Sequence, residues 1–441
     1  MLLGMFMNSI ETGQKHRICV VGLGYVGLPT AIAFHDAGFS VIGIDKSVET
    51  IRVISSGRSH LKEEDSDIEV PVKSEKWEVT TNYNEAIPKS NIILITVPTP
   101  TNHDKTPDLN FVESAFDSVM SNIARGSSTI IVLESTVFPG ATREVAKKFA
   151  DIHDLEINAD YRLAYSPERV SPGDIGRSAK DVARIVGAAD SKTGILLESL
   201  YGEITNGGCT YVGEIEIAEA AKMIENTQRD IDIAFANELA ITLPAMGLDV
   251  MDVMDAASTK WNFHRHEPGI GVGGHCIPVD PYYYIDICRK NGVESRISPI
   301  ARGVNESMPG YAAETILGKI GKNGKRKVLI LGYSYKPGVG DTRETPVYEL
   351  VELLISENAK ISIFDPHVDK ERFPGKCEVV EDPYNVENDI IVIATAHKEI
   401  LELDWKKMTE KCSSRVIYDG RRCLNKEEMA EVGWSYLGIG M

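Results

Sequence analysis

The 441-residue sequence has no run of about 18 consecutive apolar residues, the length that a transmembrane helix needs. The N-terminal segment Met-Leu-Leu-Gly-Met-Phe-Met is apolar, but it is too short for a signal peptide and lacks a basic region and a cleavage site. None of the seven cysteines forms a C-x-x-C pair, which argues against a disulfide framework and a zinc site. These absences predict a cytoplasmic protein with reduced thiols, no membrane insertion and no bound metal.

Basic residues are also scarce. The sequence has 47 Lys and Arg against 65 Asp and Glu, which gives a formal net charge of −18. This balance argues against non-specific binding to nucleic acid or to an anionic membrane. An anionic small molecule would have to be held by local hydrogen-bond donors. At roughly 150 residues per domain, the length predicts two or three domains.

A dinucleotide-binding motif lies near the start of the chain. Residues 17–45 read as strand, glycine turn, helix and strand, and they carry the glycines and the closing acid of that motif, Gly22, Gly24, Gly27 and Asp45. Gly22 permits a tight turn, Gly24 lets a pyrophosphate approach the backbone, and Gly27 lets helix and strand pack closely. Asp45 would accept from both ribose hydroxyls and repel a 2′-phosphate, which favours NAD over NADP.

The alternation of strands and helices continues beyond this motif. Three further apolar strands, predicted over 91–97, 129–133 and 162–165, run into polar loops that contain Thr99, Thr136 and Glu168. Because open α/β sheets bind ligands outside the carboxyl ends of their strands, these side chains are predicted to line one crevice. Helix capping is the alternative for Thr136 and Glu168.

The pattern changes in the middle of the chain, where a long helix is predicted over 217–246. Lys222 and Asn226 lie four residues apart and therefore on one face of it. An asparagine is unfavourable in mid-helix, so Asn226 is interpreted as kept for a contact, with a solvated face as the alternative. The apolar cover around this helix indicates burial in a helical domain or in a dimer contact.

A second strand-and-helix unit follows, which makes the chain a loose internal duplication. Strands are predicted over 327–331, 360–364, 389–394 and 415–418, with a helix over 346–358. The predicted fold class is therefore α/β, with two Rossmann-like, doubly wound parallel sheets joined by a central helical domain. The predicted domain boundaries are 1–212, 213–322 and 323–441. The second unit lacks G-x-G-x-x-G but carries polar groups suited to a phosphorylated ligand: Tyr335, Lys336, Asp341, Arg343, Arg421 and Arg422.

The segment Gly271–Pro281 carries a cysteine directly after a cluster of glycines, with Asp280 four residues beyond Cys276. Glycines let a ligand approach the main chain, and a thiol in such a place can act as a nucleophile. The alternative is a tight turn with a structural cysteine, because buried free cysteine is common.

Together these motifs resemble the UDP-glucose/GDP-mannose dehydrogenase family over essentially the whole chain. Besides the glycine-rich start, the resemblance rests on Glu134-Ser-Thr136, Ser166-Pro-Glu168-Arg169, Lys222 with Asn226, Gly273-Gly-His-Cys276, Asp280, Lys336 and Gly340-Asp-Thr-Arg343. It implies an N-terminal NAD domain, a central dimerisation domain and a C-terminal nucleotide-sugar domain. His275 and Val279 beside the cysteine resemble the branch that acts on UDP-N-acetylhexosamines. The epimer, UDP-GlcNAc, UDP-GalNAc or UDP-ManNAc, stays open.

The resemblance further implies a four-electron, NAD-dependent oxidation of the sugar C6 hydroxyl through a thiohemiacetal and a thioester on Cys276. The product would supply surface polysaccharide or glycan synthesis. The implied catalytic residues are Cys276, Lys222, Asn226, Asp280, Glu168 and Thr136. The general base is left open among Asp280, Glu168 and Lys222, and His275 is as well suited to a shape role as to proton transfer.

The family also implies two binding sets and a homodimer or dimer of dimers. The cofactor set is Gly22, Gly24, Tyr25, Val26, Gly27, Asp45, Thr99, Thr136 and Arg343. The substrate set is Glu168, Arg169, Val170, Lys222, Asn226, Arg265, Gly273, Tyr335, Lys336 and Arg422. Arg265 is implied to reach the sugar nucleotide of a neighbouring subunit, with a solvated side chain as the alternative.

Other functions stay open at this point. Within the family they are UDP-glucose or GDP-mannose 6-dehydrogenase. Outside it they are a two-electron hydroxyacid or sugar-phosphate dehydrogenase and a non-catalytic dinucleotide sensor.

Overall fold

The computed structural model describes residues 16–61, 69–102, 104–169, 181–320 and 326–441. The chain divides into two compact units, residues 1–224 with 282–287 and residues 225–281 with 288–441. All seven cysteines fall within the described ranges, and no disulfide joins any of them.

Strands and helices alternate along the first unit. In chain order they are β1 (Arg17–Val21), α1 (Gly27–Asp36), β2 (Ser40–Ile44), α2 (Val48–Ser55), β3 (Trp77–Thr80), α3 (Tyr83–Ala86), β4 (Ile92–Ile95), α4 (Asn110–Met120), β5 (Thr129–Leu133), α5 (Ala141–His153), β6 (Tyr161–Tyr165), β7 (Arg184–Ala188), α6 (Ser191–Gly202) and β8 (Cys209–Gly213).

These strands form one eight-stranded sheet in the order β3-β2-β1-β4-β5-β6-β7-β8. The order reverses between β1 and β4, which is the switch point where doubly wound sheets bind nucleotides. Every neighbouring pair is parallel except β6 and β7, which run antiparallel with Ala164 opposite Ala188. From Ile18 to Val21, β1 is at most 1% exposed, as expected for a strand covered on both faces.

The middle of the chain is helical, with α7 (Ile215–Thr242), α8 (Val250–Ser258), α9 (Asp280–Lys290) and α10 (Ile297–Ile320). The long predicted helix is confirmed in α7, which has 28 residues. It ends before Pro244, which lacks a backbone N–H and opens a short 3₁₀ turn, Pro244–Met246.

The second unit carries its own sheet. Its elements are β9 (Arg326–Leu331), α11 (Pro346–Ser356), β10 (Ala359–Phe364), β11 (Glu378–Val379), β12 (Asn388–Ile393), α12 (Lys398–Leu401), α13 (Trp405–Met408), β13 (Cys412–Asp419), α14 (Lys426–Glu431) and β14 (Ser435–Gly438). The sheet is parallel throughout, in the order β11-β10-β9-β12-β13-β14. This repeats the order of the first six strands of the first unit.

Two apolar clusters cover the two faces of the second sheet. Val328 and Ile330 of β9 share one cluster with Ala240 of α7 and Met308 of α10. The next residue along β9, Leu329, belongs to the other cluster, on the opposite face. The helical middle thus shares a core with the second sheet. The predicted fold class, two Rossmann-like sheets and a helical region with one long helix, is confirmed.

Within the described ranges, no single helix is long and apolar enough to cross a membrane. One pair of helices, Ile215–Met246 with Val250–Ser258, reaches the necessary length and apolar composition only when the two are combined, and it is bent by 118° at the break.

Candidate active site

The glycine turn after β1 is shaped by what a side chain would meet there. Gly22 has a φ of +92°, a conformation that L side chains rarely adopt. A Cβ on Gly27 would lie 1.8 Å from the Gly22 carbonyl oxygen, whereas a Cβ on Gly24 would meet nothing within 4 Å. Gly22 and Gly27 are therefore required by the protein's own backbone. Gly24 faces open space into which a ligand fits.

Asp45 closes the same turn from the end of β2. Its Oδ2 accepts from the Leu23 amide at 2.9 Å and its Oδ1 from the Ser47 amide at 2.8 Å. A carboxylate has about four lone-pair positions, so acceptor capacity is left for ribose hydroxyls. The neighbouring Lys46 donates to Ser114 at 2.6 Å. This arrangement fits a dinucleotide with its pyrophosphate at the amino end of α1.

The loops after β4 and β5 are joined by direct hydrogen bonds. Ser135 Oγ donates to the Val97 carbonyl at 2.6 Å, and the Tyr283 hydroxyl donates to the Thr99 carbonyl at 3.0 Å. Thr136 is partly exposed and does not cap α5, which follows Gly140. The capping alternative for Thr136 is therefore wrong, and its hydroxyl is left for another partner.

Glu219 of α7 takes over the capping of α5. Its carboxylate accepts from the Gly140 amide at 2.6 Å and from the Thr142 amide at 2.9 Å. Lys222, one turn further along α7, is only 8% exposed. Among the described residues its ammonium forms no ion pair. A buried ammonium of this kind has donors available for a ligand oxyanion.

Glu168 lies three residues beyond β6 and is held by a cation. Arg184 Nη2 donates to Glu168 Oε2, and the Arg169 amide donates to Glu168 Oε1 at 2.7 Å. Arg169 itself donates to the Ala183 carbonyl at 3.0 Å. Val170, predicted to contact substrate, lies outside the described residues.

The cysteine segment belongs to the second unit. Cys276 is partly exposed, and its carbonyl accepts from the Asp280 amide at 2.8 Å, so the residue lies one turn before α9 begins. Asn226 Nδ2 donates to Asp280 Oδ2 at 2.5 Å, and Asp280 is 2% exposed. The structure thus brings the predicted Asn226 and Asp280 together, and it places Cys276 at the amino end of the helix that carries Asp280.

At two glycines before Cys276, other parts of the protein occupy the space that a side chain would need. A Cβ on Gly273 would lie 2.6 Å from Tyr335 Cβ, and one on Gly271 would lie 2.9 Å from Pro346 Cβ. Gly271 also has a φ of +135°. These two glycines are therefore explained by close packing of the chain's own loop, and not by the ligand approach that the sequence suggested.

Buried polar groups anchor the same segment. The Gly269 amide donates to Asn237 Oδ1 at 2.9 Å, and Asn237 Nδ2 donates to Asn305 Oδ1 at 2.9 Å. Asn305 Nδ2 donates to Asp230 Oδ1 at 2.8 Å, and Arg302 pairs with that carboxylate at 2.7 Å. This chain of bonds fixes the approach of the backbone to Cys276.

The predicted donors of the second unit have partners within the protein. Arg343 forms a bidentate pair with Asp341, with contacts of 2.6 and 3.0 Å. Although burial opposes it, the Arg343 guanidinium holds the pKa of Asp341 below its ordinary value. Tyr335 and Lys336, in the same loop, are partly exposed.

The remaining predicted arginines also form ion pairs. Arg422 pairs with Asp249 at 2.8 Å, and Arg265 pairs with Glu267 at 2.6 Å and with Asp255. The roles predicted for Arg265, Arg343 and Arg422 toward ligands stay predictions.

Two polar clusters were missed by sequence reasoning. In the first unit, Arg184 joins Glu168 to Glu134, and the available signal was an arginine opening an apolar strand. In the second unit, the fully buried His397 contacts Asp365 at 3.1 Å. Its signal was its position in the loop after a buried strand. Among the described residues, no group of three or more His, Cys, Asp and Glu is arranged to hold a metal ion.

Comparison with known proteins gives matches along the chain. Models of the UDP-glucose/GDP-mannose dehydrogenase family match as the NAD binding domain over residues 16–205, the central domain over 216–307 and the UDP binding domain over 329–426. The matches fall within the three domains predicted from the sequence.

Relatives match over nearly the full length. The UDP-N-acetyl-D-mannosamine dehydrogenase of Pyrococcus horikoshii is 34% identical over 430 residues, covering 96% of this chain and 99% of its own. The UDP-N-acetyl-D-glucosamine 6-dehydrogenase of Pseudomonas aeruginosa is 35% identical over 427 residues, covering 93% and 98%. A solved structure of the P. horikoshii UDP-D-ManNAc dehydrogenase matches with a TM-score of 0.86 and 34% identity, covering 96% of this chain and 99% of its own.

Proposed function

The chain belongs to the UDP-glucose/GDP-mannose dehydrogenase family, and from this premise we propose that it oxidises the C6 alcohol of a UDP-N-acetylhexosamine to the carboxylate. The family resemblance of the motifs is thereby confirmed, and so is NAD-dependent oxidation of a UDP-sugar. The finer proposal rests on one observation, the bond from Asn226 to Asp280 on the helix that Cys276 precedes. The relatives named for UDP-N-acetyl-D-mannosamine and for UDP-N-acetyl-D-glucosamine are 34% and 35% identical to the chain. Sequence identity therefore does not choose between these sugars, and the choice is left to experiment.

NAD, when bound, accepts one hydride in each of two oxidations. The first unit would hold its pyrophosphate with the glycine turn and the amino end of α1. Asp45 would accept from the ribose hydroxyls with the lone pairs that Leu23 and Ser47 leave. Further proposed contacts are Tyr25, Val26, Thr99, Thr136 and Arg343.

Cys276 is proposed as the covalent nucleophile. Loss of a hydride from C6 and a proton from its hydroxyl gives an aldehyde, to which the thiolate adds to form a thiohemiacetal. Loss of the second hydride leaves a thioester. Water then adds to the acyl carbon and gives up its two protons to neighbouring bases and solvent. The C–S bond breaks, which regenerates the Cys276 thiolate and releases the carboxylate. The amino end of a helix favours the thiolate form, which supports this role for a residue one turn before α9.

Asp280, Asn226 and Lys222 are proposed to manage charge and protons. Asn226 fixes one carboxylate oxygen of Asp280, and the carboxyl group held in this way is proposed to exchange a proton with substrate or water. The Lys222 ammonium is proposed to stabilise the oxyanions that develop at C6 and to form the proton relay with Asp280.

Glu168 and Thr136 are proposed on the substrate side. The Glu168 carboxylate would assist the attack of water on the thioester, and the Thr136 hydroxyl would donate to the reacting oxygen or to its water. Neither proposal requires Val170, which stays a predicted contact outside the described residues.

Donors of the second unit are proposed to bind the nucleotide sugar. Lys336 and Arg422 suit the diphosphate, and Tyr335 and Gly273 lie in the loops that pack together beside it. Arg169 is proposed to contact the same substrate, and Arg265 that of a neighbouring subunit.

We further propose a cytoplasmic homodimer or dimer of dimers that supplies surface polysaccharide or glycan synthesis. Exposed apolar side chains on α7 support helix-mediated pairing, since Ile224 is 52% and Phe235 56% exposed.

A substrate panel tests the proposed reaction. UDP-GlcNAc, UDP-GalNAc, UDP-ManNAc and UDP-glucose are each incubated with NAD, while NADH and the sugar acid are quantified. We expect a UDP-N-acetylhexosamine to be preferred, with two NADH formed per sugar. One NADH per sugar would contradict the thioester route, and a clear preference for UDP-glucose would overturn the branch assignment.

Replacement of Cys276 tests the covalent step. Cys276→Ser should lower acid formation by about a thousandfold or more, because a serine hydroxyl is a far weaker nucleophile than a thiolate. The matched control is Cys288→Ser, which replaces a partly exposed thiol on α9 and should keep wild-type activity. Full activity in Cys276→Ser would exclude the covalent route.

A further inference from the structure

Three ionisable residues, two of them buried and one partly buried, meet at one edge of the first sheet. Glu134 directly follows β5, Glu168 lies three residues after β6, and Arg184 opens β7. Because β7 runs antiparallel to β6, its first residue lies at the same edge as the carboxyl ends of β5 and β6. The reversed direction of β7 thus brings a cation to two carboxyl groups.

Arg184 is 4% exposed and contacts both carboxyl groups. Its Nη2 donates to Glu168 Oε2, and its Nη1 lies 3.6 Å from Glu134 Oε2. The guanidinium also lies over the Tyr201 ring, 5.2 Å from the centroid. Two carboxyl groups and an aromatic face therefore fix the plane and the position of this guanidinium.

Glu134 is the more deeply buried carboxyl group. It is 2% exposed, and the Tyr201 hydroxyl donates to its Oε1 at 2.5 Å. Burial raises the pKa of Glu134 to about 7, against the attraction of Arg184. Glu134 thus interacts with the guanidinium more weakly than Glu168 does, since the distance from Arg184 Nη1 to Glu134 Oε2 is longer than a hydrogen bond.

Glu168 is the better held of the two carboxylates. Arg184 and the Arg169 amide each occupy one of its oxygens, and its side chain is 12% exposed. A carboxylate bound at both oxygens is held in one orientation.

We propose that Arg184 is a positioning residue for Glu168, and that the buried side chains of Glu134 and Tyr201 hold Arg184 in place. The inference rests on the proposed function, in which Glu168 assists hydrolysis of the Cys276 thioester. Arg184 does not touch the substrate. It acts by keeping the Glu168 carboxylate aimed in one direction.

The alternative is an ion pair that serves folding alone. In that case, loss of Arg184 would reduce stability and all activity together, whether or not Glu168 is present. A positioning role instead lowers kcat through Glu168, leaves KM nearly unchanged, and disappears when Glu168 is already replaced.

A double-mutant cycle separates these cases. Arg184→Gln alone would leave two buried carboxyl groups without a cation, so the cycle uses the neutral combination Arg184→Gln with Glu134→Gln. We expect this variant to lower kcat about tenfold to a hundredfold with KM changed less than about twofold, as for loss of a general base's orientation. Added to Glu168→Gln, the same pair should lower kcat by less than about threefold.

Two further readouts belong to the same experiment. Acid-quenched samples analysed by intact-protein mass spectrometry should show the sugar bound to Cys276 in the Arg184 variant, because hydrolysis is the step that slows. Arg184→Lys with wild-type Glu134 should recover part of kcat, since it restores the cation without the planar guanidinium. An additive loss in the cycle would overturn the proposal.

A crystal structure of the Arg184→Gln, Glu134→Gln variant gives a result that does not need turnover. We expect the Glu168 side chain to leave its position or become disordered, and an unmoved carboxylate would overturn the proposal. If the wild-type enzyme oxidises no UDP-sugar, the proposed function fails. The crystal structure then still decides whether Arg184 positions Glu168.

Discussion

The two sheets share a strand order and even the details of their first turn, yet the turns differ in what occupies them. Gly22 and Gly332 both follow the first strand with positive φ, +92° and +87°. Each amide donates to the last residue of the neighbouring strand at 2.8 Å, and each of those strands is followed by an aspartate. In the first unit the place beside Gly24 is open, whereas in the second it is filled by the protein.

The two aspartates show the difference in hydrogen bonds. Among the described residues, Asp45 accepts from the Leu23 and Ser47 amides alone. Asp365 accepts from four backbone amides and from the ring of a buried histidine, in Tyr333, Ser334, His367, Val368 and His397. Since a carboxylate offers about four lone-pair positions, Asp365 has none to give to a ribose. A repeated topology therefore predicts where a ligand could bind, and the satisfaction of its polar groups decides whether one does.

The largest effect is expected where the backbone of the first turn leaves no room. Gly27→Ala would place a Cβ 1.8 Å from the Gly22 carbonyl oxygen. We expect it to destabilise the protein by about 4 kcal/mol or more and to abolish NAD binding. The matched control is Gly24→Ala, which should unfold at the wild-type temperature while NAD affinity falls. Calorimetric unfolding and NAD titration decide this, and wild-type behaviour of Gly27→Ala would contradict the required close contact.

Replacing Asp365, whose carboxylate has no lone pair left, should lower the free energy of unfolding nearly as much, without affecting NAD binding. Asp365→Asn turns one acceptor into a donor that faces amide or imidazole donors, and we expect a loss of about 3 kcal/mol. The affinity for NAD should be unchanged. Asp45→Asn is the control, with an expected loss of less than about 0.5 kcal/mol because Asp45 is near the surface. Denaturant unfolding measures the loss of stability in both variants. Equal losses would contradict the proposed difference between Asp45 and Asp365.

The two units should also respond oppositely to pH. Burial raises the pKa of Glu134 from 4.5 to about 7, so the folded state keeps a proton that the unfolded chain has released. Stability therefore falls as pH rises through that window, by about 2 kcal/mol between pH 5 and 8. Glu134→Gln should remove this slope. A slope unchanged in Glu134→Gln would assign it to another group.

Asp365 supplies the opposite trend at acid pH. Burial opposes ionisation, but the bonds from His397, Tyr333 and Ser334 hold the pKa of Asp365 below 3.8. Its contribution is present above that value and is lost as pH falls through the lower folded pKa. Asp365→Asn should therefore lose less stability between pH 5 and pH 2 than the wild type does.

The smallest effect concerns the cofactor itself. Asp45→Asn should weaken NAD binding about tenfold, or ~1.4 kcal/mol, and should reduce the preference over NADP, because the amide no longer repels a 2′-phosphate. Titration with both nucleotides measures the two affinities. An unchanged ratio would show that Asp45 does not select the cofactor.

Local patterns predicted the architecture well because their causes are local. The strands, the glycine turn and Asp45 follow from apolar runs and turn chemistry, and β5 was predicted to the residue. The pairing of Arg184 with Glu168 could not be predicted, because it depends on a strand that reverses direction. His397 was missed for a similar reason, since its partner Asp365 follows a different strand, β10.

Within the candidate site, residue types were easier to predict than their reasons. Asn226 was expected to make a contact, and the structure supplies its partner in Asp280. The glycines at 271 and 273 were expected to admit a ligand, yet they accommodate Pro346 and Tyr335. Close packing and ligand approach require the same amino acid, so sequence alone does not separate them.

The capping of α5 by Glu219 has a practical consequence for dissecting the chain. A fragment that stopped at residue 212, the boundary suggested by the sequence, would lack Glu219 and also the partners of Arg143, Glu214 and Glu216. The amino end of α5 would then lose its acceptor. An isolated nucleotide-binding fragment should therefore extend at least through residue 224. It would then include the first residues of α7, which the sequence assigned to the central domain.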